Sequence, residues 1–204
     1  MGLNLQYEYG QTPLDPEELD ELKIHSISTK AELDQLEQQN IEEAMFWAMG
    51  LKFAYGKLIS EKFVLDLHKR MYKNRMYKNV WKWAGTYRNT EKNIGVKQYM
   101  ITHNLRNLLD DTLYWIKNQT YSPHEIAIRF KHKLVSIHCF PNGNGRHSRL
   151  MADIIMEKIF KLPPFTWGRN QVTLSKEQIR KEYINAVRAA DLNDYQPLLH
   201  FSQT

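Results

Sequence analysis

Residues 138–149 read His138-Cys139-Phe140-Pro141-Asn142-Gly143-Asn144-Gly145-Arg146-His147-Ser148-Arg149. Apolar residues recur at helical spacing on both sides of this stretch, at Ile126, Phe130, Leu134 and Ile137 before it and at Leu150, Ile154, Ile155 and Ile159 after it. Residues 122–125, Ser-Pro-His-Glu, have the pattern of a capping box with Pro at the first helical position. The stretch therefore predicts a short loop that joins two helices.

The composition of this loop favours an anion. Gly143 and Gly145 permit a tight turn, and backbone N–H groups at the start of the second helix attract negative charge. Arg146 and Arg149 lie three residues apart on one helix face, where each guanidinium can donate two hydrogen bonds to phosphate oxygens. We therefore predict a phosphate-binding turn.

His138 and Phe140 complete the pattern. A histidine at a helix end can accept a proton from a hydroxyl near neutral pH, and Phe140 is expected to anchor the loop in the core. A single histidine at a helix end is usually structural, and a short glycine-rich loop alone is a weak signal. The complete ordered pattern H-x-F-x-x-G-N-G-R-x-x-R favours a catalytic interpretation.

This pattern resembles the core motif of the Fic family, H-x-F-x-[D/E]-G-N-G-R-x-x-R. Residues 83–88, Trp-Ala-Gly-Thr-Tyr-Arg, together with Asn93, Ile94 and Gly95, resemble the segment that enters the family's substrate-docking flap. The similarity extends through the tail at residues 183–199. The subgroup that the chain resembles most is the bacterial Fic proteins called mobile mystery protein B, which are reported beside a predicted helix-turn-helix partner.

The resemblance implies a mainly α fold, a helical bundle with one short β-hairpin flap at residues 87–100. The resemblance covers residues 28–204. Residues 1–27 are predicted to be an irregular lead-in. The resemblance also implies that the chain transfers AMP from ATP, with Mg²⁺, to a Ser, Thr or Tyr hydroxyl of a target protein.

The same resemblance assigns roles to individual residues. His138 would be the general base, and Gly143, Asn144 and Gly145 would form the nest for the α- and β-phosphates. Arg146 and Arg149 would hold the β- and γ-phosphates. Attack at the α-phosphorus would release pyrophosphate.

Two positions depart from the family pattern. Asn142 stands where most AMP-transferring members carry Asp or Glu as a Mg²⁺ ligand, and a neutral amide oxygen is a weaker ligand for this cation. A metal role for Asn142 is therefore doubtful. Cys139 replaces the usual Pro, and as the single cysteine of the chain it reads as a small buried hydrophobe rather than a nucleophile.

Two other functions remain open from the sequence. Relatives of the Doc type transfer the γ-phosphate, but they carry bulkier residues at the glycine positions, so AMP transfer is favoured. The net charge of +5 and the basic run at residues 69–78 would suit a nucleic-acid-binding protein. Because basic charge also suits a triphosphate, direct nucleic-acid binding is the weaker interpretation.

The sequence lacks the family's inhibitory motif [S/T]-x-x-x-E-[G/N]. Residues 28–33 and 173–178 place Glu at the right offset but lack the final Gly or Asn. A toxin-like activity would then be restrained by a separate inhibitor, such as the helix-turn-helix partner. Glu37 or Glu32 on the first helix is the alternative restraint.

The remaining features set the class of protein. A chain of 204 residues with 42% hydrophobic residues is long enough for one domain with its own core. There is no apolar run that could cross a bilayer and no signal peptide, so we expect a cytoplasmic protein without a membrane partner. Further helices are expected after caps at Ser28 or Thr29, Ser60, Thr102 and Ser175.

Overall fold

The computed structural model of the chain describes residues 29–52, 54–72 and 81–204. The regular elements of these ranges are α1 Lys30–Gly50, α2 Tyr55–Leu58, α3 Glu61–Met71, α4 Ile101–Asn118, α5 Pro123–Ile137, α6 Asn144–Ile154, α7 Lys176–Asp191 and α8 Gln196–Gln203. A 3-10 turn, Gln98–Met100, precedes α4, and a π-helical segment, Ile155–Phe160, continues α6. The predicted mainly α fold is confirmed.

Side-chain caps start four of the described helices, and three of these caps lie at the starts of α1, α3 and α7. Thr29 forms a complete capping box with Glu32 at the start of α1, and Ser60 accepts the Phe63 N–H at the start of α3. Ser175 starts α7 with the second complete box. These caps satisfy N–H groups that the first turn of a helix leaves without an internal partner.

Two helix starts differ from the sequence prediction. Ser122 accepts the Glu125 N–H at 3.3 Å, but the Glu125 carboxylate accepts a hydrogen bond from Arg129 one turn later, at 2.8 Å. Only half of the predicted capping box is therefore formed. Helix α4 begins at Ile101 after the 3-10 turn, so Thr102 is not its cap.

Helix α5 is central to the bundle. It packs against α4, α6 and α8, while α1 packs against α3 and α6, and α7 against α8. Its buried side chains include Ile126, Ala127, Phe130 and Leu134. The chain leaves α5 and enters α6 inside this core, which places the loop between them where side chains of α1 and α3 can reach it.

The predicted β-hairpin is not formed, because residues 87–100 contain no strand. The backbone N–H groups of Arg88 and Val96 instead donate to the carbonyls of Cys139 and Ile137, at 3.0 and 3.3 Å. Both ends of the segment thus pair with the end of α5 and the following loop rather than with each other. The result is an irregular loop held against His138.

Some predictions fall on residues that the structure does not describe. These predictions concern the lead-in at residues 1–27 and residues 73–78, which are most of the basic run. Within the described ranges, no helix is long and apolar enough to cross a membrane.

Candidate functional site

His138 is the C-cap of α5 and adopts a left-handed conformation, with φ 56°. Its side chain is 4% exposed. The Arg88 guanidinium donates to its backbone carbonyl at 2.6 Å. Among the described residues, neither ring nitrogen has a hydrogen-bond partner of ordinary geometry. The backbone is therefore anchored, and both ring nitrogens are buried.

The surroundings of His138 keep its ring neutral. Burial lowers the pKa of His138 to about 4, and the positive charge of Arg88 acts in the same direction. The Val135 carbonyl opposes the shift. At neutral pH the ring is thus unprotonated and able to accept a proton, which is the state that a general base requires.

The two glycines of the loop differ in what the structure demands of them. Gly143 is the N-cap of α6 with φ 76°, and a Cβ built there would lie 1.8 Å from the Tyr72 hydroxyl oxygen. For a Cβ at Gly145, no atom of the described residues would lie within 4 Å. Gly143 is required by backbone conformation and by close packing, whereas Gly145 leaves open space at the helix start.

Asn144 and Phe140 close the loop from inside. The Asn144 side chain accepts the Phe140 N–H at 2.9 Å and donates to the Phe140 carbonyl at 2.8 Å. Phe140 is 1% exposed, and its ring stacks on His68 with centroids 3.6 Å apart and planes 7° apart. The Asn144 amide is therefore committed to the loop, and only its backbone can contribute to an anion-binding nest.

Asn142 also bonds within its own turn. Its side-chain oxygen accepts the Gly143 N–H at 2.5 Å, and its backbone carbonyl lies 3.1 Å from Nε2 of His68. The residue is half-buried. An amide oxygen has a second lone pair, so this geometry leaves one acceptor position on the side chain.

Arg146 forms an ion pair with a residue distant in sequence. Its guanidinium donates to Oε2 of Glu37 at 2.6 Å, and the indole N–H of Trp81 donates to Oε1 of Glu37 at 3.0 Å. Glu37 lies on α1 and is 6% exposed. Of the two glutamates considered from the sequence, Glu37 contacts a motif arginine, while Glu32 caps its own helix.

Arg149 follows one turn later on α6 and is half-buried. Its Nε donates weakly to the Gly145 carbonyl at 3.4 Å, and its guanidinium carbon lies 5.2 Å from the centre of the Tyr183 ring. Lys131 of α5 places its Nζ 4.5 Å from the centre of the same ring. The second motif arginine is thus packed against α7, and no carboxylate within the described residues pairs with it in a salt bridge.

The segment at Asn93, Ile94 and Gly95 lies beside His138. A Cβ at Gly95, whose φ is 103°, would lie 2.5 Å from the His138 Cβ. Asn93 is exposed and Ile94 is 54% exposed. Arg88 holds this loop by donating to the carbonyls of Thr90, at 2.8 Å, and Val96.

Cys139 is fully buried, and burial raises the pKa of its thiol to about 12. A thiol in this state is a poor nucleophile. Across the described ranges there is no group of three His, Cys, Asp or Glu side chains that could hold a metal ion.

Sequence reasoning missed several residues that shape the site. These residues are His68, Tyr72 and Trp81. The contacts of Arg88 with the loop were also not predicted. His68 and Tyr72 lie among the apolar positions of α3 and its end, and Arg88 is 3% exposed. A buried polar residue is recognised by its partners, which come from distant segments, so spacing along one helix carries no signal for it.

The chain is similar in sequence to known proteins. Residues 58–156 match the model of the Fic/DOC family. The protein adenylyltransferases fic-1 of Caenorhabditis elegans and of Caenorhabditis briggsae are each 27% identical over 141 residues, which is 68% of this chain and 25% of the relative. The chain therefore spans about a quarter of the length of these curated relatives.

Solved structures share the fold. Fic-1 of C. elegans has a TM-score of 0.66 at 24% identity, over 83% of this chain and 48% of the other. The N-terminal FIC domain of Bep8 from Bartonella sp. 1-1C has a TM-score of 0.65 at 15% identity, over 90% of both chains. BepC of Bartonella tribocorum, with bound AMPPNP, has a TM-score of 0.62 at 14% identity, over 96% and 93%. Residues 58–156 thus match the Fic/DOC family, and the fold of the chain is that of solved Fic-domain proteins.

Proposed function

We propose that this chain is a protein adenylyltransferase that moves AMP from ATP to a hydroxyl group of a target protein. One observation carries the proposal. The α5–α6 loop places a neutral His138 beside a glycine turn at the start of a helix that also bears Arg146 and Arg149. The names of the fic-1 relatives support the same activity.

In the proposed reaction, the target hydroxyl oxygen attacks the α-phosphorus of ATP. A new P–O bond forms, the bond from the α-phosphorus to the bridging oxygen of the β-phosphate breaks, and pyrophosphate leaves. The hydroxyl proton passes to the imidazole of His138. Gly143, Asn144 and Gly145 would bind phosphate oxygens through backbone N–H groups, and Arg146 and Arg149 would neutralise the charge of the triphosphate.

The nucleotide is the proposed carrier of Mg²⁺. Asn142 is the residue of the loop that could add a protein ligand, through the acceptor position left on its side-chain oxygen. The cation would supply further neutralisation of the triphosphate.

The exposed segment at Asn93, Ile94 and Gly95 is the proposed contact for the target protein. Gly95 packs on His138, so a peptide lying along this segment would bring its side-chain hydroxyl to the catalytic base.

The contact between Glu37 and Arg146 supports restraint within the chain. Arg146 cannot give the same N–H group both to the Glu37 carboxylate and to a phosphate oxygen. A phosphate oxygen that took this N–H group would displace the Glu37 carboxylate. A separate inhibitor, such as a helix-turn-helix partner, remains a second proposal with no contact of the chain to support it.

One labelling assay tests the activity. The purified protein is incubated with a bacterial lysate, Mg²⁺, and ATP labelled at either the α- or the γ-phosphate. Label on protein from α-ATP alone is the expected result. Label from γ-ATP alone would identify a kinase, and label from neither, together with salt-dependent retention on DNA, would favour a nucleic-acid-binding protein.

A further inference from the structure

His68 connects two segments that are far apart in sequence. It lies on the last turn of α3 and is 0% exposed. Its Nδ1 lies 3.0 Å from the backbone nitrogen of Gly85, and its Nε2 lies 3.1 Å from the backbone oxygen of Asn142. The ring thus bridges the segment before residues 87–100 and the loop that precedes α6.

These two contacts determine the tautomer of the ring. A backbone N–H can only donate, so Nδ1 of His68 must present its lone pair to Gly85. A neutral imidazole then carries its proton on Nε2, which donates to the Asn142 carbonyl. Stacking on Phe140, at 3.6 Å between centroids, holds the ring plane in this orientation.

The contact with Asn142 also fixes a peptide plane. In a trans peptide the C=O and the following N–H point in opposite directions. Holding the Asn142 carbonyl toward α3 therefore turns the Gly143 N–H to the other side. On that side the Asn142 side-chain oxygen accepts the Gly143 N–H. The N–H thus already points at an oxygen acceptor.

Gly143 has a left-handed backbone and is followed directly by the helical Asn144. Consecutive N–H groups in a left-handed and then a helical conformation converge on one point and bind anions. If the peptide between residues 142 and 143 turned over, its carbonyl oxygen would face a bound phosphate and repel it.

We propose that His68 is a positioning residue which sets the orientation of the Asn142–Gly143 peptide and so prepares the turn for phosphate. The inference rests on the proposed function for the identity of the anion, the triphosphate of ATP. His68 itself does not touch the nucleotide. Its effect passes through one backbone carbonyl.

His147 provides a matched control. It is also a buried histidine, at 1% exposure, and it contacts the Phe140 ring edge-on at 5.1 Å. Its Nε2 lies 3.0 Å from a backbone carbonyl, but that carbonyl belongs to Val64 within α3 and not to the loop. His68→Phe removes two buried polar contacts and His147→Phe removes one, and only the His68 change releases the Asn142 carbonyl.

The experiment measures the Kd of Mg-ATP by calorimetry and the melting temperature for wild type, His68→Phe and His147→Phe. We expect both variants to melt earlier. His68→Phe should bind ATP roughly tenfold more weakly, the effect of losing about 1.4 kcal/mol, while His147→Phe should keep the wild-type Kd. His68→Gln, which retains a donor and an acceptor, should restore much of the binding, and it also serves if His68→Phe does not fold.

A second measurement needs no nucleotide. Nitrogen-15 spectra of the histidine rings in the free wild-type protein should show His68 as the neutral tautomer protonated at Nε2. Protonation at Nδ1 would overturn the proposal, as would equal ATP affinities in the two Phe variants. If wild type binds ATP but transfers no AMP, only the proposed activity fails. If wild type does not bind ATP, both the activity and the phosphate-binding role of His68 are wrong.

Discussion

The carboxylate of Glu37 accepts a hydrogen bond from the guanidinium of Arg146 at 2.6 Å, which joins the middle of α1 to the first turn of α6. The pair is 109 residues apart in sequence. The Trp81 indole N–H holds the second carboxylate oxygen at 3.0 Å. Glu37 therefore faces the arginine that the loop would otherwise offer to a phosphate, and the two acceptors compete for one cation.

Replacing Glu37 by Gln should release Arg146. Gln keeps an oxygen for the Trp81 N–H but loses the charge that attracts the guanidinium. We expect Glu37→Gln to bind Mg-ATP roughly tenfold more tightly, because removal of a competing charge-assisted hydrogen bond is worth about 1.5 kcal/mol. Calorimetry checks the affinity, and α-labelled ATP checks whether transfer rises with it.

Glu32→Gln is the control for this change. Glu32 lies on the same helix and completes the capping box with Thr29, so the variant loses a carboxylate from α1 without altering the contact of Arg146. Its ATP affinity should match that of wild type. Equal or weaker ATP binding by Glu37→Gln would show that Glu37 does not restrain the site.

The two glycines should respond differently to Ala. Gly143→Ala places a Cβ against the Tyr72 hydroxyl and forces a left-handed conformation that costs about 1–2 kcal/mol, so it should lower the melting temperature. Gly145→Ala meets no atom of the described residues and should melt near wild type. Its Cβ enters the space proposed for phosphate, so we expect weaker ATP binding. Normal ATP binding by Gly145→Ala would place the phosphate elsewhere.

Much of the loop could be predicted from its own residues. The helix on each side follows from apolar spacing and caps, and His138 lies at the end of α5 because the left-handed turn ends that helix. These are local features. The segment at residues 87–100 was expected to pair with itself, but its N–H groups bond to the carbonyls of Ile137 and Cys139.

Residues that act across the core were less accessible to sequence reasoning. Glu37 was one of two glutamates considered, and nothing in the spacing of α1 separates it from Glu32. What separates them is the packing of α1 against α6, which brings Glu37 to Arg146. Likewise, the role of His68 depends on partners 17 and 74 residues away.

Substitutions of His138 and Arg149 should separate proton transfer from nucleotide binding. His138→Ala should abolish AMP transfer and leave ATP affinity nearly unchanged, since a general base acts on the hydroxyl. Arg149→Ala should weaken ATP binding as well, because it removes a positively charged donor from the phosphate site. Calorimetry and α-labelled ATP measure the two effects. Undiminished transfer by His138→Ala would exclude it as the base.

Stability should fall as the pH is lowered from about 6.5 toward 4. Burial lowers the pKa of His147 to about 4, and His138 is shifted to a similar value, whereas an unfolded histidine titrates near 6.5. Within this window the unfolded chain binds more protons, so acid favours unfolding. The loss approaches on the order of 3 kcal/mol for one such histidine.

Asp153 acts in the opposite direction. Burial raises the pKa of Asp153 to about 6. As the pH falls from about 6 to about 4, the folded state therefore binds this proton more tightly than the unfolded state and gains stability. Urea unfolding at several pH values measures the sum. His147→Phe should flatten the decline below pH 6.5, and an unchanged slope in that variant would remove His147 as a source of the pH dependence.

Asn142 offers a direct test of the metal. Its side-chain oxygen accepts the Gly143 N–H, and Asp at this position would keep that acceptor while adding a negative charge. If Asn142 lies next to the cation carried by ATP, Asn142→Asp should lower the Mg²⁺ concentration needed for half-maximal transfer, because a carboxylate is the stronger ligand. Maximal rate should change less, since His138 and both arginines are unaltered. A magnesium titration with α-labelled ATP compares the two proteins, and superimposable curves would mean that Asn142 serves the turn alone.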